Sequence, residues 1–304
     1  MIYIKLLIGL ALLVYGGNML VDGSVKLAKR MGISSLLIGL VLVGFGTSTP
    51  ELVASLISVF QNSNGIAVGN VVGSNIANIL LVLGCAAIIY PLAIDVKAFK
   101  RDSLMLCITT IALIGVAMLG IITRFMGGLM VLCLIGYVIY SYRVDKKSHQ
   151  EKTSDEPLPN GWMALLQASF GIALTIWGAD LLVKNAIDLA KLWQVSDSVI
   201  GLTIVAVGTS LPELTASVIA SFKKENGVAF GNVVGSNIYN VFFILGTVAL
   251  CKPIDVPLGM EKDIFVMTGV TILLCSIAFW RKVFSRFTGI LFVSTYVIYT
   301  YFLF

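Results

Sequence analysis

The chain has 304 residues, of which 58% are hydrophobic and 12% are charged. A soluble domain normally has about 25% charged residues, so this composition excludes a soluble globular protein. Apolar runs close to the ~20 residues that cross a bilayer recur from one end of the chain to the other. The composition therefore predicts an all-α polytopic membrane protein whose fold is surrounded by the lipid bilayer.

The apolar segments predict ten transmembrane helices in chain order. The first segment has no clear small-residue cleavage site after it, so we interpret it as a retained span rather than a signal peptide. A polar stretch, 143–161, is rich in charged and turn-forming residues and predicts a linker between two halves, 1–142 and 162–304. The predicted spans are 2–23, 34–60, 66–91, 102–122 and 126–142 in the first half, and 162–183, 196–222, 228–251, 262–280 and 287–304 in the second.

The two halves share an internal repeat. The stretch SSLLIGLVLVGFGTSTPELVAS begins at Ser34, and SDSVIGLTIVAVGTSLPELTAS begins at Ser196. GNVVGSNIANILLVLG begins at Gly69, and GNVVGSNIYNVFFILG begins at Gly231. Both pairs are offset by 162 residues, which indicates duplication of one unit, with the repeated cores at 34–84 and 196–246.

Five spans in each half place the two copies in opposite orientations in the membrane. Cytoplasmic loops carry an excess of Lys and Arg. With the N-terminus outside, 15 of the 21 Lys and Arg residues fall in inside loops and 6 fall outside. This bias predicts both termini outside and the linker in the cytoplasm, and it makes the net charge of +5 a topology signal rather than a sign of nucleic-acid binding. Inverted repeats are typical of secondary transporters with a substrate site near the midplane.

The repeated sequences GTSTPE and GTSLPE predict a broken helix in each half. Pro50 has no N–H to donate to the carbonyl of Gly46, four residues earlier. Pro212 has the same relation to Gly208 in the second copy. Unpaired backbone at membrane depth is tolerated only inside protein or beside a cavity, so both breaks are expected to face a polar site.

Each break also carries a carboxylate in the middle of an apolar segment. Glu51 and Glu213 are expensive to place there and are usually functional in such positions. Carboxylate, carbonyl and hydroxyl oxygens are the ligands of hard cations such as Ca²⁺, which takes 6–8 oxygens. Pro-kinked packing helices with neutral glutamates are the alternative, and two matching copies favour the ion site. The neighbouring candidate ligands are Thr47, Ser48, Thr209 and Ser210.

The second repeated motif, GNVVGSN, combines small and polar residues. Its glycines, at 69, 73, 231 and 235, have the spacing that lets helices approach closely in lipid. The polar residues at i and i+4 share one helix face and are predicted to line the ion site; they are Ser74, Asn78, Ser236 and Asn240. For the other four asparagines, at 70, 75, 232 and 237, hydrogen bonding between helices is at least as good an interpretation.

These paired motifs resemble the two α-repeats of the calcium/cation antiporter superfamily, and within it the prokaryotic sodium/calcium exchangers. The resemblance covers nearly the whole chain and implies antiport of several Na⁺ for each Ca²⁺. It implies that Glu51 and Glu213 are the principal Ca²⁺ ligands, completed by the backbone carbonyls of Thr47 and Thr209. It further implies flanking Na⁺ sites at Ser48, Ser210, Ser74, Ser236 and Asn78, and a moving gate in the first two spans of each half.

One position departs from the family pattern. Sodium/calcium exchangers tend to have an aspartate where this chain has Asn240, so the site has two carboxylates instead of three. Two carboxylates still balance one Ca²⁺, but Ca²⁺/H⁺ antiport, or antiport of another divalent cation such as Mn²⁺, becomes an alternative to Na⁺ coupling. Ca²⁺ and Na⁺ are transported substrates, and no resident cofactor, nucleic acid or obligate protein partner is predicted. The expected location is the cell membrane of a prokaryote.

Two other classes of function fit the sequence less well. A cation channel usually builds its filter from an oligomeric ring, whereas an inverted repeat within one chain favours alternating access. An enzyme is not predicted, because the chain has no HExxH motif and its single histidine, His149, lies in the polar linker region. The five cysteines have no CxxC spacing and are interpreted as apolar packing residues.

Overall fold

The computed structural model describes residues 2–149, 158–194, 206–257 and 259–302. It is mostly helical, and the helices are named here in chain order. In the first half they are α1 (Ile2–Met31), α2 (Ser35–Thr47), α3 (Thr49–Phe60), α4 (Asn64–Ile89), α5 (Val96–Leu119) and α6 (Arg124–His149). In the second half they are α7 (Gly161–Leu192), α8 (Ala206–Gly208), α9 (Leu211–Phe222), α10 (Asn226–Cys251), α11 (Glu261–Trp280) and α12 (Arg286–Phe302).

Seven of the described helices are long and apolar enough to cross a membrane, or eight if the bent pair α2–α3 forms one span. The described residues do not confirm the predicted count of ten. Part of the predicted span 196–222 lies outside the described residues, and α12 has 17 described residues. The helical, multi-span character of the chain is nevertheless clear.

Several helices extend past their predicted ends. α1 continues to Met31 and α7 to Leu192, beyond the predicted ends at 23 and 183. α6 continues to His149, so the first residues of the predicted linker, including its histidine, are helical. The predictions ended these spans where charge begins, but a helix can continue past the hydrocarbon. Asp145 lies in this extension of α6. Its carboxylate is buried and accepts hydrogen bonds from the N–H and the hydroxyl of Ser34, at 2.6 and 2.8 Å, so the charge is satisfied within the protein.

The first helices of the two halves, α1 and α7, pack along each other in opposite directions. A Cβ at Gly9 would meet the backbone of Leu182 at 3.0 Å, and a Cβ at Gly23 would meet that of Ala168 at 2.5 Å. The partner number falls as the α1 number rises, so the two helices are antiparallel. Small residues at these contacts let the two backbones approach closely, which is the usual basis of helix association in lipid.

Helices α4 and α10 form the centre of the molecule. In the most apolar 18-residue stretch of each helix, 72% of the residues are buried in α4 and 83% in α10. In the other five long helices the buried share is 28–44%. Each contains a π-helical turn that begins at an asparagine of the repeat, Asn78–Val82 in α4 and Asn240–Leu245 in α10. π-turns inside α-helices are frequent at functional sites, because they redirect side chains at one turn.

Two short antiparallel ribbons join the halves at opposite ends of α5. β1 (Leu92–Ala93) pairs with β4 (Val283–Phe284), and β2 (Ile121–Ile122) pairs with β3 (Ile254–Asp255). With 24 residues at 1.5 Å each, α5 spans roughly 36 Å, which exceeds the hydrocarbon thickness of about 30 Å. The ribbons therefore lie near the two membrane surfaces, and each takes one strand from each half.

Backbone turns recur at the repeat offset. The residues with positive φ include three pairs that are 162 positions apart: Gly32 and Gln194, Asn62 and Lys224, Gly120 and Lys282. The residue type changes within each pair, while the left-handed conformation is kept. The duplication found in the sequence is thus also present in the local backbone geometry.

Candidate functional site

The predicted helix break is present in the first half. α2 ends at Thr47, α3 begins at Thr49, and the two axes differ by 41°. In the second half, α8 ends at Gly208 and α9 begins at Leu211. Pro50 and Pro212 occupy the first turn of α3 and α9, where a missing N–H costs little.

The breaks interrupt the regular backbone hydrogen bonding of the helices in both halves. After the interruption, the first regular bonds run from Leu52 N–H to Ser48 and from Leu214 N–H to Ser210. Among the described residues, the carbonyl of Thr209 accepts no backbone hydrogen bond. This carbonyl is therefore available to a cation, and the ligand roles of Thr47 and Thr209 stay predictions.

The two glutamates lie in the first turns that follow the breaks. Glu51 is 1% exposed and Glu213 is 0% exposed, so neither carboxylate is in contact with bulk water. The positive end of a helix dipole favours negative charge at this position. Each half therefore places one buried carboxylate at the start of the helix that follows its break, and their membership of one ion site stays a prediction.

Hydroxyl groups of the first half reach the carboxylate of the second. Ser48 Oγ donates to Glu213 Oε1 at 3.1 Å, across 165 residues of sequence. Thr47 Oγ1 has a single proton and lies within hydrogen-bond distance of two acceptors, Asn232 Oδ1 at 3.2 Å and the carbonyl oxygen of Val43 at 3.0 Å. Both hydroxyl-bearing residues are fully buried. The break in α2–α3 thus contacts the second repeat directly.

Several buried oxygens at this place have no hydrogen-bond partner among the described residues. An unpaired buried acceptor is costly, and a bound cation would satisfy it. Two carboxylate oxygens of this kind come from opposite halves and give the site its charge. The full set is Oε2 of Glu51, Oε2 of Glu213, Oδ1 of Asn78, Oδ1 of Asn240 and Oγ of Ser210.

Of the remaining predicted ligands, Ser236 contacts the helix that leads to the first break. Ser236 is fully buried, and its hydroxyl lies 3.5 Å from the carbonyl of Gly44 in α2. Ser74 is 5% exposed on α4, while Thr209 is half-buried. The break glycines are packing positions, since a Cβ at Gly46 would lie 2.4 Å from Ile172 of α7 and one at Gly208 would lie 2.7 Å from Val183.

Each of two asparagines, Asn70 and Asn232, joins the backbone of a glutamate to a serine that was not predicted from the sequence. Asn70 Nδ2 donates to the carbonyl of Glu51 at 3.2 Å and to Ser55 Oγ at 3.0 Å. In the second half, Asn232 Nδ2 donates to the carbonyl of Glu213 at 3.1 Å and to Ser217 Oγ at 2.9 Å. The available signal was the repeated serine four residues after each glutamate, one helical turn away.

The packing interpretation of the repeat glycines is confirmed in α10. A Cβ at Gly231 would lie 2.2 Å from the carbonyl oxygen of Leu36, and one at Gly235 would lie 2.5 Å from that of Leu40. In α4 the matching positions are not tight. A Cβ at Gly69 would meet only Met260, at 3.8 Å, and Gly73 has nothing within 4 Å among the described residues.

A second buried polar cluster lies between α5 and α6 and was missed in the sequence. Asp102 is 0% exposed, forms an ion pair with Arg101, and accepts a hydrogen bond from Tyr137 at 2.7 Å. The predicted span begins at residue 102, so Arg101 is one of the Lys and Arg residues that the predicted topology counts in the inside loops. Only the packing of α6 over this end of α5 reveals that the charge is buried.

Among the described residues, no group of three or more His, Cys, Asp or Glu side chains could hold a metal ion. An ion at the breaks would therefore be held by two carboxylates and by neutral oxygens. Such a ligand set suits a cation that must be released again during transport.

Comparison with known proteins identifies the family. The sodium/calcium exchanger protein family matches residues 1–143 and 163–304. The chain belongs to the sodium/calcium exchanger family. The sodium/calcium exchanger MaX1 of Methanosarcina acetivorans is 32% identical over 89% of this chain and 88% of its own length. The inner membrane protein YrbG of Escherichia coli is 32% identical over 91% of this chain and 88% of its own length.

A solved structure matches this exchanger-family chain over its whole length. The sodium-calcium exchanger NCX_Mj, soaked with 10 mM Na⁺ and zero Ca²⁺, superposes with a TM-score of 0.86 and 32% sequence identity. The match covers 98% of both chains. The predicted family is thus confirmed. The protein is a multi-pass membrane protein of a cation antiporter family, and its relatives are exchangers rather than enzymes.

Proposed function

We propose that this protein exchanges Ca²⁺ for Na⁺ across the cell membrane by alternating access at the site between Glu51 and Glu213. The observation that carries the proposal is the pair of buried carboxylates from the two halves, each with one oxygen that has no partner among the described residues. Family membership and the likeness to NCX_Mj support the same function.

The charge of the site explains how it could serve both ions. Two ionised carboxylates give −2, which one Ca²⁺ or two Na⁺ would neutralise, so either loaded form could cross a low-dielectric region at a similar electrostatic cost. The carbonyls of Thr47 and Thr209 and the hydroxyl of Ser48 lie at the breaks as neutral ligands. The flanking Na⁺ positions are proposed at Ser48, Ser210, Ser74, Ser236 and Asn78, and Asn240 is proposed as a further oxygen ligand of the transported Ca²⁺.

The membrane arrangement belongs to the same proposal. Ten spans in two inverted five-helix repeats, with both termini outside and the linker in the cytoplasm, agree with the Lys and Arg bias. The antiparallel packing of α1 on α7 supports opposite orientations of the two halves. In this arrangement the repeated cores 34–84 and 196–246 meet at the midplane.

The direction of transport would follow from charge movement. A third Na⁺ bound during its half of the cycle would make one net charge cross the membrane. That charge is worth ~2.3 kcal/mol per 100 mV, so an inside-negative potential would drive Ca²⁺ out of the cell. An exchange ratio of two Na⁺ for one Ca²⁺ would instead be insensitive to potential.

A second candidate, Ca²⁺/H⁺ antiport, is favoured by Asn240 alone. With an amide at this position, the site has one negative charge less than a site with three carboxylates, and its third Na⁺ would be held by neutral oxygens. Protonation of the two glutamates could release Ca²⁺ in place of Na⁺ binding.

The experiment that tests the proposal is ⁴⁵Ca²⁺ uptake into proteoliposomes that contain the purified protein. Uptake is measured with an outward Na⁺ gradient, an outward H⁺ gradient, or neither. Uptake that requires Na⁺ and is lost in Glu51→Gln and Glu213→Gln supports exchange at this site, with the exposed Glu261→Gln as the matched control. Uptake driven by H⁺ alone supports the second candidate, and full activity of the two glutamate variants contradicts the site.

A further inference from the structure

A chain of amide hydrogen bonds links α4 to α10 near the site. Asn75 Nδ2 donates to the backbone carbonyl of Asn237 at 3.3 Å. Asn240 Nδ2 donates to Asn75 Oδ1 at 3.0 Å. Asn75 is 4% exposed and Asn240 is 1% exposed, so water does not compete for these bonds. The two asparagines are therefore held in a single buried arrangement.

The chemistry of the neighbours determines the direction of this chain. A backbone carbonyl can only accept, and the thioether of Met267, 3.6 Å from Asn75 Nδ2, is also an acceptor. The amino group of Asn75 must face both of them, which leaves its Oδ1 to face Asn240. Asn240 therefore donates from its amino group to Asn75 Oδ1, and Asn240 Oδ1 is the last atom of the hydrogen-bonded chain. That oxygen is buried and has no hydrogen-bond partner among the described residues.

We propose that Asn75 is a positioning residue, which turns Asn240 so that its carbonyl oxygen, and not its amino group, faces the transported cation. The inference rests on the proposed function and names a further residue of the same site. The N–H groups of an amide carry positive partial charge and would repel a cation, whereas its oxygen is a hard-cation ligand. Asn240 lies one helical turn after Ser236, whose hydroxyl is beside the carbonyl of Gly44 in α2.

The second half does not contain the same chain. Asn237, 162 residues after Asn75, has neither a donor nor an acceptor partner for its amide among the described residues. It is also buried, with 1% exposure. The two asparagines therefore have the same sequence context and similar burial, but only Asn75 holds another side chain. Asn237 is the matched control.

The test compares Na⁺-driven ⁴⁵Ca²⁺ uptake by wild type, Asn75→Ala, Asn237→Ala, Asn240→Ala and the double variant Asn75→Ala/Asn240→Ala. Loss of one oriented ligand is expected to raise the apparent KM for Ca²⁺ about tenfold in Asn75→Ala, with a smaller change in Vmax. Asn237→Ala is expected to change KM by about twofold or less. Because Asn75 acts through Asn240, its removal is expected to add nothing in the Asn240→Ala background.

Three results would overturn the inference: an equal effect of Asn75→Ala and Asn237→Ala, full additivity in the double variant, or an unchanged KM in Asn75→Ala. Gel filtration and thermal unfolding identify variants that misfold. Asn75→Leu, which keeps the side-chain volume, repeats the comparison if the alanine variant does not fold. A wild-type protein that transports Ca²⁺ with neither gradient would contradict the proposed function itself, whereas these results concern only variants of an active transporter.

Discussion

The two halves of the site contain almost the same residues but use them differently. Glu213 accepts a hydrogen bond from Ser48 of the first half, whereas the matching hydroxyl, Ser210, has no partner among the described residues. Asn232 is completely buried, whereas its counterpart Asn70 is half-buried. The serine at the first break therefore contacts the glutamate of the second half, whereas the serine at the second break makes no matching contact with Glu51 among the described residues.

This difference shows that local sequence does not determine the environment of a repeated residue. The motif GNVVGSN is identical in both halves. Its two glycines in α10 pack against the backbone of α2, whereas its two glycines in α4 have no close neighbour among the described residues. The two copies of the repeat therefore pack asymmetrically, as a site that opens to one side at a time would require under the proposed function. If the halves exchange roles during transport, the asymmetry is expected to reverse. The following predictions test how far the two halves differ.

The largest effect is expected from the two carboxylates, where the halves should be equal. Glu51→Gln and Glu213→Gln each leave one buried positive charge of Ca²⁺ unbalanced, and loss of one partner of a buried charge pair costs roughly 2–5 kcal/mol. Ca²⁺ uptake into proteoliposomes is expected to fall at least about 30-fold in both variants. Substantial activity in only one of them would mean that the site belongs to a single half.

Substitution of a repeat glycine by alanine is expected to destabilise the protein in the second half but not in the first. Gly231→Ala places a Cβ 2.2 Å from the carbonyl oxygen of Leu36, which forces α2 and α10 apart. Overpacking of this kind costs about 1–3 kcal/mol, and thermal unfolding in detergent is expected to occur at a lower temperature. Gly73→Ala, with nothing within 4 Å among the described residues, is the matched control and should leave the transition nearly unchanged. Equal shifts would contradict the difference in packing.

Removal of the serine hydroxyl at a break is expected to weaken Ca²⁺ binding more in the first half than in the second. Ser48→Ala removes a hydrogen bond to Glu213, and bonds to charged groups contribute about 1.5–3 kcal/mol. Equilibrium ⁴⁵Ca²⁺ binding is expected to weaken about tenfold or more. Ser210→Ala should weaken it less, because this hydroxyl has no hydrogen-bond partner to lose among the described residues. A larger effect at Ser210 would indicate that the opposite arrangement of the halves dominates in solution.

A smaller difference is expected at two tyrosines that are 162 residues apart. Tyr137 donates to the fully buried Asp102 at 2.7 Å, and Tyr299 donates to the half-buried Asp263 at 2.8 Å. Tyr137→Phe is expected to lower the free energy of unfolding by about 1 kcal/mol, because a buried acceptor loses a donor. Tyr299→Phe should cost less, since water can replace the hydroxyl at Asp263. Chemical denaturation in detergent measures both, and a reversed order would contradict the difference in burial.

Much of the site could be predicted because its chemistry is unusual for a membrane interior. Glu51 and Pro50 stand out in an apolar segment, and the repeat shows that the pattern is not accidental. The serines at 55 and 217 were missed, since a serine on a transmembrane helix commonly bonds to its own backbone and attracts no attention. Asp102 was missed because it lies where a span begins, a position at which a charge is ordinarily solvated.

The sequence by itself determined the membrane environment, the duplication, the helix breaks and the two carboxylates, because these depend on composition, on spacing and on the missing N–H of proline. Only the tertiary structure decided that Ser48 serves the opposite half, that α6 covers Asp102, and that Asn75 rather than Asn237 holds a neighbour. The physical reason is that identical repeats offer identical donors and acceptors. Which donor meets which acceptor depends on how the two copies pack against each other. That packing joins residues that are about 165 positions apart.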